Sequence, residues 1–258
     1  MFDLTDKNAL ITGGSRGLGL QIAEGYLRQG ARVILTARKA VELEEARALL
    51  VEGGADSKQI MTLVSDLQKL DSIPSMVEQL VADVGHIDIL VNNAGTSWAA
   101  PMEEHSLDAW NKVMTLNITA PLVLTREVGR LSMIPRRSGK IINVASIGGM
   151  AGNRPDLNMN TIGYNSSKAA MMNFTRALAS EWGKYNINVN ALCPGFFVSK
   201  LSEKLLDQIA DQVLPTVPLG RFGSETDLQG PAVFLASEAA RHVTGVCLTV
   251  DGGVTAAG

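Results

Sequence analysis

A single-domain, doubly wound α/β sheet is the fold the sequence predicts, and two features predict it. Short β-rich runs recur at steady intervals along the 258 residues, with amphipathic stretches long enough for helices between most of them, which argues for βαβ units. Several of those runs are apolar almost throughout, as parallel strands covered on both faces must be, and right-handed crossovers then put helices on each side.

In chain order the expected strands are NALIT (8–12), RVILTA (32–37), QIMTLV (59–64), IDILVNNAG (87–95), KIINVAS (140–146), INVNALC (187–193) and VCLTV (246–250). Helix starts are signalled by Asp71 as a cap with Pro74 in the first turn, by Ser106, and by Ser224 ahead of Glu225 and Asp227. No shift in composition marks a boundary, so residues 1–258 are expected to form one domain. The least regular stretch is 194–223, PGFFVSKLSEKLLDQIADQVLPTVPLGRFG, and a long insertion of this kind between core elements is expected to form a lid.

Composition narrows the function. With 46% hydrophobic and 19% charged residues and a formal net charge of −3, the chain offers no broad attraction to nucleic acid or anionic lipid, and a small-molecule substrate is expected. The start, MFDLTDKNALITGG, lacks a basic region followed by an apolar one, and no later stretch is apolar for long enough to span a bilayer, so a soluble, cytoplasmic protein is expected. Cys193 and Cys247 match no CxxC spacing and read as small hydrophobes in strands. His86, His105 and His242 stand apart, without metal-binding spacing, so no metal is expected.

Thr12, Gly13, Gly17 and Gly19 follow the first strand and open a helix in the pattern TGxxxGxG. Glycines let a backbone turn tightly and approach a pyrophosphate, whose charge the free N–H groups and positive helix end stabilise. The second strand ends near Thr36 and Ala37, where an acid would bind the ribose hydroxyls of NAD. That acid is missing. Arg38 follows directly and Arg16 lies in the glycine loop, so two guanidinium groups are expected to converge on a 2′-phosphate, favouring NADP(H). Asp66 follows the third strand and offers an acceptor to the adenine amino group. NNAG (92–95) closes the fourth, at the carboxyl end where such sheets bind ligands.

Tyr164 and Lys168 are four residues apart, on one face of an expected helix. A free tyrosine titrates near about 10, and a neighbouring ammonium stabilises the phenolate, which is expected to lower that value toward the range where it exchanges protons with an alcohol or carbonyl.

Taken in order, TGGSRGLG, NNAG, Asn117 in TLNIT, Ser146 in NVASIGG, Tyr164 to Lys168 and CPG (193–195) closely resemble the short-chain dehydrogenase/reductase family, from residue 6 to about DGG at 251–253. The resemblance implies a Rossmann-type, seven-stranded parallel sheet, a nicotinamide cofactor and a homotetramer. It also implies a tetrad: Tyr164 as general acid or base, Ser146 bonded to the substrate oxygen, Lys168 on the nicotinamide ribose and lowering the tyrosine pKa, and Asn117 holding a water of the proton relay. Cofactor contacts then fall on Thr12, Gly13, Ser15, Arg16, Gly17, Leu18 and Gly19, on Arg38, Asp66 and Leu67, on Asn93, Ala94 and Gly95, and on Tyr164, Lys168, Pro194 and Gly195.

Two departures from the family pattern stand out. Ser146 and Tyr164 are usually several residues closer together; Ala151 falls at the usual spacing, and the extra residues of GMAGNRPDLNMNTIG are expected to bulge beside the substrate cleft. Where the family has a threonine after PG, the nearest equivalent is Ser199. Trp98, Met150, Leu157, Met159, Phe196, Phe197, Leu201, Leu205 and Leu206 are candidates to line an apolar cleft, which favours a bulky or chain-bearing ketone. The pattern is similar to 3-oxoacyl-thioester (acyl-carrier-protein) reductases, with gluconate 5-dehydrogenase-like enzymes as the close competitor. Arg136 and Arg137 read first as part of a solvated loop, with contact to an acidic carrier protein as the alternative. A non-catalytic NADP-binding sensor or scaffold is the reading of another class, and the intact tetrad argues against it.

Overall fold

The computed structural model describes residues 1–198 and 203–257, and of the side chains between 203 and 208 only that of Leu206. Strands β1 Asn8–Thr12, β2 Arg32–Ala37, β3 Ile60–Val64, β4 Ile89–Asn92, β5 Gly139–Val144, β6 Ile187–Pro194 and β7 Cys247–Val250 form one parallel sheet in the order β3-β2-β1-β4-β5-β6-β7. The helices are α1 Gly17–Arg28, α2 Ala40–Glu52, α3 Ile73–Val84, α4 Leu107–Met114, α5 Ala120–Val128, α6 Ile134–Arg136, α7 Ile162–Trp182, α8 Glu203–Val213 and α9 Gln229–Ala236. All seven expected strands are present.

Successive strand residues point to opposite faces, and here both faces are apolar. Ala9 and Ile11, Val33 and Leu35, and Ile89 and Val91 join one core with Ile22 and Tyr26 of α1, Leu43 of α2 and Ala232 of α9. Leu10, Ile34, Leu90 and Ile141 join the other with Val77 of α3, Leu124 of α5 and Trp182 of α7. Fully burying such a side chain contributes about 1.5–3 kcal/mol, so continuous apolar strands are stable only between two helix layers. Cys193 is wholly buried in β6 and Cys247 half-buried in β7, both as free thiols. No described helix is long and apolar enough to cross a membrane.

The helix-start signals fare unevenly. The Ser106 hydroxyl accepts from the Ala109 N–H at 3.2 Å and caps α4. Asp71 lies instead within a 3-10 turn, Leu70–Ser72, which feeds directly into α3 with Pro74 in its first turn. Ser224 does not cap α9 either: its N–H and hydroxyl donate to Asp227, which also pairs with Arg221, and the helix begins beyond Leu228. At Ser224 a locally satisfied turn takes the groups that a cap would have used.

The strand order reverses between β1 and β4, so the loops leaving their carboxyl ends run in opposite directions and open a crevice. Leu90 is inaccessible to solvent at the middle of β4, beside Leu10 and Ile141. Leu90→Ala should therefore destabilise the fold by about 2–5 kcal/mol, read as a lower midpoint in chemical denaturation.

Candidate active site

The glycine loop is fastened to NNAG across the crevice. The Thr12 hydroxyl donates to the Val91 carbonyl at 3.2 Å and accepts from the N–H groups of Asn93 and Ala94, each at 3.0 Å. In return the Asn93 amide donates to the carbonyls of Thr12 at 2.8 Å and Gly13 at 3.1 Å. A side chain at Gly19 would run into the Gly13 carbonyl and the Asn93 amide, so this glycine is required by packing within the protein. Gly17 has φ of 54°, which glycine adopts without penalty, and α1 starts there with no side chain capping its first N–H groups. Those donors and the positive helix end suit a pyrophosphate. Thr12 and Asn93 shape this cradle through their bonds to one another's backbone. Asn92 turns away, donating to Thr125 at 3.0 Å and Asn143 at 2.8 Å inside the protein.

At the ends of β2 and β3 a cavity of about 550 Å³ is lined by Arg38, Ser65, Asp66, Lys69, Ser72 and Ser75, among others. Arg16 does not converge on it with Arg38. Its guanidinium lies 3.7 Å from Glu42, which also holds Lys39 at 2.9 Å. The cation that joins Arg38 on the cavity wall is Lys69, three residues after Asp66, a position that carried no sequence signal. Asp66 itself accepts from the Gln68 N–H at 3.2 Å in a local turn.

The four residues of the expected tetrad come from three segments. Asn117 sits in a wide π turn, Thr115–Thr119, between α4 and α5, and is 1% exposed. Its carboxamide closes both ways on Thr96, accepting from its N–H and donating to its carbonyl, each at 2.9 Å, and donates also to the Ser167 hydroxyl at 2.9 Å. Ser167 in turn donates to the Tyr164 carbonyl at 2.7 Å. Thr96 and Ser167 thus tie the loop after NNAG to α7; only the fold reveals that role. Ser146, just past β5, accepts from the Gly148 N–H at 3.1 Å and is a hydrogen-bond neighbour of the Tyr164 phenol.

The electrostatics differ from the sequence expectation. Burial pushes the Tyr164 pKa up, opposed by the Ser146 hydroxyl, so the net shift is upward where a downward one was expected. The Lys168 Nζ lies 5.5 Å from the Tyr164 ring centroid and donates to the Val144 carbonyl at 2.7 Å. It is 5% exposed, and burial presses its pKa down to about 8, with Cys193 opposing. Removal from water disfavours both charged forms, phenolate and ammonium alike.

The residues between Ser146 and α7 make two 3-10 turns, Ile147–Gly149 and Pro155–Leu157, with left-handed Asn158 and Asn160 at φ of 46° and 43°. Leu157 is buried with Leu206, Ile209 and Val213 of α8, and Met159 and Phe196 pack against the same cluster. Phe197 belongs to the main core. Leu157, Phe196 and Leu206 therefore hold the described part of the expected lid to the insertion, while Met159 also lines the cavity beside it. Of the other cleft candidates, Trp98 and Met150 are exposed, and Ser199, Leu201 and the Leu205 side chain lie outside the described residues. Arg136 pairs with Asp88 at 2.8 Å and Arg137 donates to the Lys184 carbonyl at 2.6 Å, so both exposed residues are engaged within the chain.

A buried lysine has a signature in stability. Between the folded value of about 8 and the ordinary 10.5 the unfolded chain binds more protons, so the penalty of burying Lys168 is full below pH 8 and relieved as pH rises toward 10.5. Thermal unfolding at pH 7 and 9.5 should show the wild type gaining on the order of 2 kcal/mol relative to Lys168→Met across that interval.

The model of the short chain dehydrogenase family matches residues 7–210. The chain is 37% identical to gluconate 5-dehydrogenase of Gluconobacter oxydans over 257 residues, covering 99% of this chain and 97% of that protein. It is 35% identical to a 3-oxoacyl-[acyl-carrier-protein] reductase of Chlamydia trachomatis, covering 97% of this chain and 98% of that one. A crystal structure of gluconate 5-dehydrogenase from Burkholderia cenocepacia, in complex with NADP and tartrate, superposes with a TM-score of 0.90 at 34% identity, covering 99% of this chain and 97% of that one. The sheet order, the glycine loop at the crevice and these whole-length matches lead to one conclusion: the chain belongs to the short-chain dehydrogenase family, as an oxidoreductase acting on a CH–OH or C=O group.

Proposed function

We propose that the protein is an NADP(H)-dependent dehydrogenase of sugar acids, interconverting a secondary hydroxyl and a ketone on a gluconate-like chain. One observation carries the substrate class: four amide side chains, Asn153, Asn158, Asn160 and Asn165, share the wall of the cavity beside the insertion with Met102, Met159 and Ile162. Amide groups match the hydroxyls of a polyol chain. The similarity to gluconate 5-dehydrogenase supports the same reading. Reduction of a 3-oxoacyl thioester is the second reading, supported by the 35% identity to the Chlamydia reductase.

The glycine loop and the first turn of α1 would hold the pyrophosphate, and Arg38, with Ser65 and Lys69 on the same cavity, the 2′-phosphate. Arg16, engaged by Glu42, has a lesser part. When bound, NADP(H) supplies or accepts the hydride at the substrate carbon. Tyr164 moves the proton at its phenolic oxygen, giving it to the forming alkoxide in reduction and taking it from the alcohol in oxidation. Its raised pKa keeps it a donor at neutral pH, and in oxidation the Lys168 ammonium and the Ser146 hydroxyl stabilise the phenolate. Ser146 donates to the substrate oxygen as charge develops there. The Asn117 side chain is committed to Thr96 and Ser167, so its part is to fix the wide turn between α4 and α5 against α7. Family membership also carries the expectation of a homotetramer, and exposed Leu107 and Leu122 are apolar groups available for it; light scattering tests this.

Tyr164→Phe should lower turnover by about 10²–10⁴-fold while NADPH titrations stay near wild type; near-normal turnover would reject the proton-transfer role. Arg38→Ala should raise the KM for NADPH by tenfold or more, about what a lost charged hydrogen bond costs, with little change for NADH. A substrate screen following NADPH absorbance decides between the two readings. Oxidation of gluconate or reduction of its keto forms is expected to exceed reduction of acetoacetyl thioesters, and the reverse ranking would favour the second reading.

A further inference from the structure

The insertion before α7 encloses a cavity of about 300 Å³ together with Ala100 and Met102 from the loop after β4. That volume lies at the small end of ligand sites, roughly the size for a six-carbon molecule. Its frame is tied by a ring of three hydrogen bonds: the Asn153 amide donates to the Thr161 hydroxyl at 2.8 Å, that hydroxyl to the Asn165 carbonyl at 3.0 Å, and the Asn165 amide back to the Asn153 carbonyl at 3.0 Å. The Asn160 carbonyl accepts from the Ala100 N–H at 3.1 Å, joining the two walls. Asn158 and Asn160 occupy left-handed backbone, which asparagine tolerates better than most side chains, so the amide-rich lining also allows the tight winding of this segment. One wall of the cavity lies beside the reacting end of the site: a methyl group at Gly148 would touch both the Asn165 side-chain oxygen and the Ser146 hydroxyl at 3.4 Å, so these two flank a single glycine.

No charged side chain among the described residues lines this cavity except Arg154. Asp156 takes its Nε and Nη2 in a two-point pair, and Nη1 keeps only a 3.5 Å contact to the Gln212 carbonyl of α8. The pair is about half-exposed, and Asp156 holds the guanidinium plane in place while leaving Nη1 donors on one edge. We propose that Arg154 is the specificity-determining residue for the carboxylate of a sugar acid, bound at Nη1 in this cavity with the substrate hydroxyls toward Asn153 and Asn165 and the reacting carbon toward Ser146. The assignment rests on the sugar-acid reading and adds to it the end of the substrate that is recognised and the side chain that recognises it.

The test compares gluconate with D-sorbitol, the same chain with its carboxylate replaced by a hydroxymethyl group, as substrates for NADP-dependent oxidation. Arg154→Gln is expected to raise the KM for gluconate about tenfold or more with kcat within about twofold, to shift the KM for sorbitol by less than about twofold, and Arg154→Lys to recover part of the loss. Equal shifts for both substrates, or none for gluconate, would overturn the assignment while leaving the sugar-acid reading standing. A wild-type enzyme that oxidises neither gluconate nor 2-dehydro-3-deoxygluconate, with activity on acetoacetyl thioesters to show that it is folded and competent, would overturn both. Calorimetric titration of gluconate into the NADPH-loaded enzyme gives a second readout, in which Arg154→Gln should weaken binding by the same factor.

Discussion

Everything at the crevice depends on the hydrogen-bonded lock between Thr12 and Asn93. Parallel strands leave their carboxyl ends with unpaired backbone groups, and at β1 and β4 the chain leaves in opposite directions, so nothing in the sheet itself holds the two loops together. One hydroxyl and one carboxamide close that gap, the former receiving two backbone N–H groups and the latter reaching two carbonyls. The glycine loop can then wind tightly enough to start α1 with its N–H groups free, and Gly13 and Gly19 are small because NNAG lies against them. Residues that look from the sequence like ligand contacts are thus first of all contacts with each other.

A second clamp links this crevice to α7. Asn117 grips both backbone groups of Thr96 and passes a third hydrogen bond to Ser167, which closes on the Tyr164 carbonyl. All of these groups are buried or half-buried, so each bond also relieves an unpaired polar group in a dry place. The same dryness sets the electrostatics. Tyr164 is shifted up and Lys168 down, because both charged forms lose water. A tyrosine and a lysine four apart on a helix do not by themselves decide which way the phenol shifts; burial does.

The long connection between Ser146 and Tyr164 divides its residues between two tasks. Leu157 and Met159 anchor the helix α8, while the asparagines and Thr161 form a self-bonded frame around a small cavity. Met102, Met159 and Ile162 share that cavity's wall, so it offers both amide partners and apolar contact.

Seven strands, their parallel arrangement and the glycine loop are legible in the order of residues, because apolar runs between helix-length stretches have one stable packing and the TGxxxGxG spacing has one place at the first strand. That order also brings Asn117, Ser146, Tyr164 and Lys168 forward as a set, through a family pattern of ordered motifs. Only the tertiary structure decided how charged and polar groups pair. Arg16 goes to Glu42 and Lys69 joins Arg38 because pairing depends on which loops lie side by side. Arg136 and Arg137 find partners within the chain, Asp88 and the Lys184 carbonyl, for the same reason. Leu157 and Leu206, 49 positions apart in the chain, are buried in one cluster. Periodicity reports which face of an element is apolar, whereas the partner of a loop residue is set by distances through space that no local pattern contains.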